Sequence, residues 1–325
     1  VLTARAAGRR QPHLVRRGPR RHLDHQPAGT AAGPVRDAGV GPGRVVDGQR
    51  RQPPGLAAGV ENEIRSTIEA LLSGDQLDLA GTESVLGYRL RQHHLGLVLW
   101  TEAGAADLTT IERTAGRVAQ RMGVKGHPLF VPRDRETGWA WVPIGRSAEI
   151  DLTAIDAVLA EGDGTVSVAV GRPGAGASGF RTTPHGAAAA QEVAQMGHHE
   201  GSCAVTYADP TVRAAALLAR DLPVTRHLVR TTLGGLAQDT SGARRMRETL
   251  LAFVEERESY VATAARLHLH KNTVKYRVDK AIEARGKPLA DERLDLELAL
   301  IACKWLGPEV LRGTVGKNGQ APTRE

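Results

Sequence analysis

The chain has 325 residues, 41% hydrophobic and only 3% aromatic, with a formal charge of +7 and a pI near 9.8; that length allows two or three domains with buried cores. The charge is local: residues 1–60 hold 11 Arg and three Asp but no Lys or Glu, leaving 32 basic against 33 acidic residues for the rest, so any nucleic-acid contact has to come from one element and not from the pI. Two cysteines a hundred positions apart, Cys203 and Cys303, exclude a zinc-finger or disulfide scaffold, and the absence of an apolar run near the roughly 18 residues of a membrane span, or of a secretory core, predicts a soluble cytoplasmic protein without membrane contact.

Residues 1–60 lack Ile, Phe, Tyr, Trp and Met and are dominated by Arg, Gly, Pro and Ala. Such a segment buries too little apolar surface to offset chain entropy, so it reads as disordered, a spacer more than a nucleic-acid arm. From Val60 the texture changes. Ile64, Ile68, Leu71 and Leu72 share one face of a helix that stops at Gly74. His94 to Trp100 is a buried-strand run, and a helical pattern follows to about Gly123. Strands are predicted over 128–132 and 138–144, a helix over 152–159, a strand over 165–170, a helix over 186–195 and a strand over 203–208. That β-α-β-β-α-β-α-β order predicts an α+β sandwich with helices on a mixed or antiparallel sheet, set apart from a doubly wound parallel sheet by the hairpin that ends in Trp139–Pro143. After Asp209 the pattern is helical throughout.

Gly174, Gly176 and Gly179 spell GxGxxG after the strand at 165–170, the pattern of a dinucleotide-binding loop. The context fails. Arg172 and Pro173 separate strand from glycines, the next helix is expected no earlier than Thr183–Pro184, and no acidic residue stands about 20 positions on and at a strand end, where a ribose would need it. A nucleotide-binding enzyme using residues 171–179 is therefore the rival reading, and a turn linking sheet to helix the preferred one. His198, His199 and Glu200 form a single cluster without further partners at ligand spacing, which reads as surface and not as a metal site. No catalytic residue, cofactor or metal is assigned.

Residues 246–284 carry the function. Thr249 to Val254 supply a scaffold helix, and Tyr260 to Leu267 a short second helix with Ala264 and Ala265 at its close approach. His268 to His270 make a turn around a buried Leu269, and a third helix runs from about Asn272 to Ala284. This is a helix-turn-helix arrangement. At 100° per residue Val274, Val278 and Ala281 share the inner face, while Asn272, Thr273, Tyr276 and Lys280 point outward with Lys275 and Arg277 on the flanks. Amide, hydroxyl, phenol and cations together suit base edges and phosphates in a major groove. Asn272 and Thr273 are expected to meet bases; His270, Lys271, Lys275, Tyr276, Arg277 and Lys280 complete the expected DNA-binding set.

The run Leu267-x-x-His270-Lys271-Asn272-Thr273-Val274-x-Tyr276-Arg277-Val278, preceded by Thr263-Ala264, resembles the C-terminal domain of the PucR family of bacterial transcriptional regulators. The stretches LGYRLRQHHLGLVLW and AVGRPGAGASGFRTTPHGAAAAQEVAQ are similar to the GGDEF-like middle domain of PucR/CdaR-type regulators, without the GGDEF catalytic signature. The resemblance covers about residues 61–312. It implies a regulator and not an enzyme, with double-stranded DNA as partner, and a small-molecule effector of unstated identity. A homodimer is expected because one short recognition helix rarely gives enough affinity alone. Family members usually carry a folded sensory domain ahead of the middle domain, which residues 1–60 do not resemble.

The expected layout is a disordered segment over 1–60, a helical lead-in over 61–92, a mixed-sheet GGDEF-like α/β domain over 93–208, a helical connector over 209–244, an all-α helix-turn-helix domain over 245–312 and a disordered tail over 313–325.

Overall fold

The structure, a computed structural model, describes residues 54–311 apart from 76, 125–126, 147–149, 163 and 198–200. Of the segment 1–60 expected to be disordered, residues 1–53 lie outside the described residues, as do 313–325 and the cluster at His198, His199 and Glu200, whereas residues 54–60 are helical, contrary to that expectation.

Two helices, α1 (Pro54–Ser73) and α2 (Leu79–Leu86), lead into strand β1 (His93–Thr101). There follow α3 (Leu108–Arg121), β2 (Leu129–Pro132), β3 (Thr137–Ile144), α4 (Leu152–Ala160), β4 (Val166–Val170), β5 (Gly174–Ala175), α5 (Gly176–Met196) and β6 (Ala204–Thr206). α1 begins several residues ahead of the helix read from the sequence. The sheet order is β2-β3-β1-β4-β6, with the short β5 also paired to β1. β4 and β6 run parallel and the other pairs antiparallel, so the sheet is mixed.

β1 lies at the centre and its period-2 alternation splits the core. Leu95, Leu97 and Leu99 join Ile111, Val118, Ile155, Val158 and Val168 under α3 and α4. Val98 and Trp100 face the other way, onto Ala187, Ala190 and Val193 of α5. Aspartates cap α2, α3 and α4: Asp78, Asp107 and Asp151 each accept a first-turn amide at 2.8, 2.8 and 3.2 Å, satisfying donors that the helix cannot.

One expectation fails here. α5 starts at Gly176, not near Thr183, and Pro184 lies in its interior. A proline there leaves the carbonyl four residues back without its amide donor. That carbonyl belongs to Phe180, and the Trp141 indole Nε1 donates to it at 2.9 Å, while the two rings stack at 4.5 Å. β1 makes room with Gly96, where a Cβ would stand 2.7 Å from the Pro184 nitrogen. The loop glycines have the same use: a Cβ on Gly179 would lie 2.1 Å from the Gly174 carbonyl carbon, and Gly176 takes a φ of +63°.

The rest is helical, as expected: α6 (Pro210–Leu218), a 3-10 turn at Ala219–Asp221, α7 (Leu222–Leu233), a 3-10 turn at Gly234–Ala237, α8 (Ser241–Glu255), α9 (Tyr260–Arg266), α10 (Lys271–Arg285), α11 (Arg293–Leu306) and α12 (Pro308–Leu311). The core continues from sheet to helices without interruption. Val193 of α5 belongs to the same buried cluster as Val212, Val229, Leu250, Val278, Leu296 and Leu300, and the Trp305 indole donates to Thr211 Oγ1 at 2.9 Å.

Candidate nucleic-acid interface

α8 is the scaffold. Thr249 through Val254 are all buried, and the chain leaves α8 through Arg257 and Glu258, both with left-handed φ of 53° and 64°. Ser259 then caps α9, its hydroxyl accepting from the Ala262 amide at 3.3 Å. Arg266 at the far end of α9 pairs with Glu255 at 2.5 Å and Glu256 at 3.2 Å, which ties the short helix back to the end of α8. Ala264 packs into the core, whereas Ala265 is exposed. Only one of the two small residues therefore serves the close approach.

The turn spans Leu267 to His270. His268 occupies the left-handed region at φ 52°, and Leu269, expected to be buried, is half-buried against the core because the turn lies at the rim of the helical bundle. His270 is the N-cap of α10: its Nδ1 accepts from the Asn272 amide at 3.2 Å.

In α10 the inner residues Val274, Val278 and Ala281 have no exposed surface. His270, Lys271, Asn272, Lys275, Tyr276 and Lys280 are exposed, Tyr276 at 64%; Thr273 and Arg277 are half-buried. Arg277 Nη1 reaches Thr249 Oγ1 of α8 at 3.4 Å. Lys280 Nζ donates to Glu283 at 2.6 Å, and this bond raises the lysine pKa above its ordinary value. The helix has no acidic residue in its first turn, so the positive end of its dipole and the charge of Lys271 add in sign there.

Two buried arginines fix the orientation of this unit, and sequence reasoning missed both. Arg285, 4% exposed, continues the inner spacing 274, 278, 281 by four residues. Its guanidinium donates to the carbonyls of Thr232 at 3.1 Å and Asp291 at 2.7 Å, and to those of Lys287 and Pro288. Arg247, 5% exposed, donates through Nη1 to Leu236 O and Gln238 O, and desolvation by burial lowers its pKa. The Arg247 bonds join α8 to the segment after α7, and the Arg285 bonds join α10 to α7 and to the loop that follows α10.

The model of the PucR C-terminal helix-turn-helix domain matches residues 246–302, and the model of the GGDEF-like domain matches residues 72–193. The chain thus carries a PucR-type C-terminal domain behind a GGDEF-like one. It is 44% identical over 41 residues to the uncharacterized protein YxkF of Bacillus subtilis, a match covering 13% of this chain and 14% of that protein. It is 38% identical over 77 residues to an uncharacterized protein encoded in the pkwA 5' region of Thermomonospora curvata, covering 23% of this chain and 43% of that one. The chain thus spans less than half the length of either curated relative. Among solved structures, a regulator of polyketide synthase expression from Bifidobacterium adolescentis is similar at 19% identity and a TM-score of 0.36, over 76% of this chain and 93% of that one.

Proposed function

We propose that this PucR-type chain is a cytoplasmic, homodimeric transcriptional regulator that binds double-stranded DNA through α10 and responds to a small-molecule effector. The observation that carries the reading is the outer face of α10. It gathers Asn272, Tyr276 and Lys280 in exposed positions, with Thr273 half-buried beside them, in a region of the sequence whose overall charge is near neutral. His270, Lys271 and Lys275 sit at the same end of the helix, and Arg277 on its flank, in keeping with a base reader bordered by phosphate contacts.

The rival reading, a nucleotide-binding enzyme, draws no support from the glycine loop. Gly174 and Gly179 approach each other's backbone, and α5 begins with no side-chain cap and no acidic residue in its first turn, yet the glycines serve the packing of α5 on the strand end. The match of residues 72–193 to a GGDEF-like domain favours a regulatory role for this half. The test is a selection of bound fragments from genomic DNA by the purified full chain. It should converge on one sequence, and no enrichment over random fragments would refute the reading.

A further inference from the structure

We propose that the groove between α8 and α10 is a phosphate site that holds a phosphodiester of the DNA backbone, gripped by Arg245 from outside the helix-turn-helix itself. The proposal rests on the DNA-binding reading and extends it to a second helix. The groove has a volume of about 560 Å³ and is lined by Arg245 and Met246 of α8 and by Tyr276, Arg277, Lys280 and Glu283 of α10. Three cations and one carboxylate leave the site with a net positive charge. Arg277 is steered by its contact to Thr249, and Lys280 is engaged by Glu283.

Arg245 is different. It is exposed, and among the described residues it has no ion-pair partner, whereas the adjacent Arg244 is paired to Glu248 at 3.0 Å. A cation held at the mouth of a positive groove without a carboxylate is free to meet an anion.

Position along α10 selects the anion. Lys271 and Lys275 project on one flank of the outer face and Arg277 on the other, with Lys280 at the edge of the face beside Arg277, at about 100° per residue. Two rows of cations on either side of a base-reading face correspond to the two phosphate strands that wall a major groove. Lys280 also stands eight residues beyond Asn272, about 12 Å along the axis. With Asn272 at the bases, that displacement carries the α8–α10 groove away from the reading end of the helix and toward the flanking backbone.

The experiment is a binding titration of the full chain on its selected duplex and on a scrambled duplex, at several salt concentrations. Arg245→Ala should weaken both duplexes alike, by about fivefold near 0.15 M salt, and lower the salt slope by about one. Glu283→Gln should tighten both, since it removes the carboxylate that competes with phosphate. Arg244→Ala, also exposed and on the same helix, should leave both unchanged. If Arg245→Ala binds like the parent while Asn272→Ala loses the selected site, the groove does not touch DNA and the inference falls alone. If both bind like the parent, the DNA-binding reading falls with it. Inorganic phosphate titrated into the DNA-free chain should show no saturable binding that depends on Arg245; such binding, with DNA affinity unchanged in Arg245→Ala, would assign the groove to a free anion and overturn the proposal.

Discussion

His94 has no exposed surface and sits between the Tyr88 hydroxyl, 2.9 Å from Nδ1, and the Leu90 carbonyl, 3.1 Å from Nε2. The Phe180 ring lies edge-on at 5.7 Å. Burial pushes its pKa below the ordinary 6.5, partly offset by hydrogen bonding to the backbone. The sign of the linkage follows: a base whose folded pKa is depressed binds fewer protons when folded, so its contribution is complete above the unfolded value and is lost as pH falls from about 6.5 towards the folded pKa. The unfolding midpoint of the parent should therefore fall more steeply than that of His94→Gln when the pH is lowered from 7 through 5. Parallel curves would show that His94 titrates alike in both states. This pairing was not legible beforehand, because a histidine inside an apolar run says nothing about a tyrosine six residues earlier across a turn. By contrast, the inward positions of α10 could be read directly, since a single helical period fixes Val274, Val278 and Ala281. Arg285 obeyed the same period and was missed because arginine at an inner position needs carbonyl partners that only the folded chain supplies.

Among the elements, α5 shows where local rules mislead. Proline and glycine ordinarily argue for a late helix start, yet the Trp141 indole replaces the donor that Pro184 lacks, and residues 176–183 stay helical. That compensation comes from a strand 39 residues away. β1 to β4, β6, α3, α4, α9 and α10 followed the sequence closely because each carries its own periodicity, and the helices their own caps, such as Asp107, Asp151 or Ser259, whereas β5 and the first half of α8 were not read. The glycine loop can be tested by substitution. Gly179→Ala forces a Cβ to within 2.1 Å of backbone and should destabilise by about 3 kcal/mol or more, since backbone cannot yield as a side chain does. Gly176→Ala meets open space and suffers only its φ of +63°, a cost of about 1–2 kcal/mol. Urea unfolding of the two variants measures the difference; equal losses would mean that crossing of the two backbones is not what the glycines permit.

At the scale of the molecule, the buried cluster that begins with Val98 and Trp100 on β1 reaches Val274 and Val278 on α10 and Leu300 and Leu306 on α11. The boundaries expected near residues 208 and 244 were inferred from the change from alternating to purely helical pattern, and a pattern change does not say whether the two parts share a core. Here α11, the helix that follows the reader, packs on α5, α6, α7 and α8. Calorimetry of the chain should consequently show one cooperative transition for the sheet and the helical part. Two transitions well separated in temperature would contradict a shared core. Leu300→Ala should lower that single transition as a whole, by about 2–5 kcal/mol in stability.

The outer face of α10 is proposed to read DNA, with separable roles along it. The most direct measurement is a binding titration of Asn272→Ala and Lys275→Ala against the parent, on the selected and scrambled duplexes over a range of salt. Asn272→Ala should lose about 1–3 kcal/mol on the selected site and relax preference at one or two base pairs, with the salt slope kept. Lys275→Ala should weaken both duplexes equally and lower the slope by about one. Parent-like binding by both variants, with folding intact, would contradict the account.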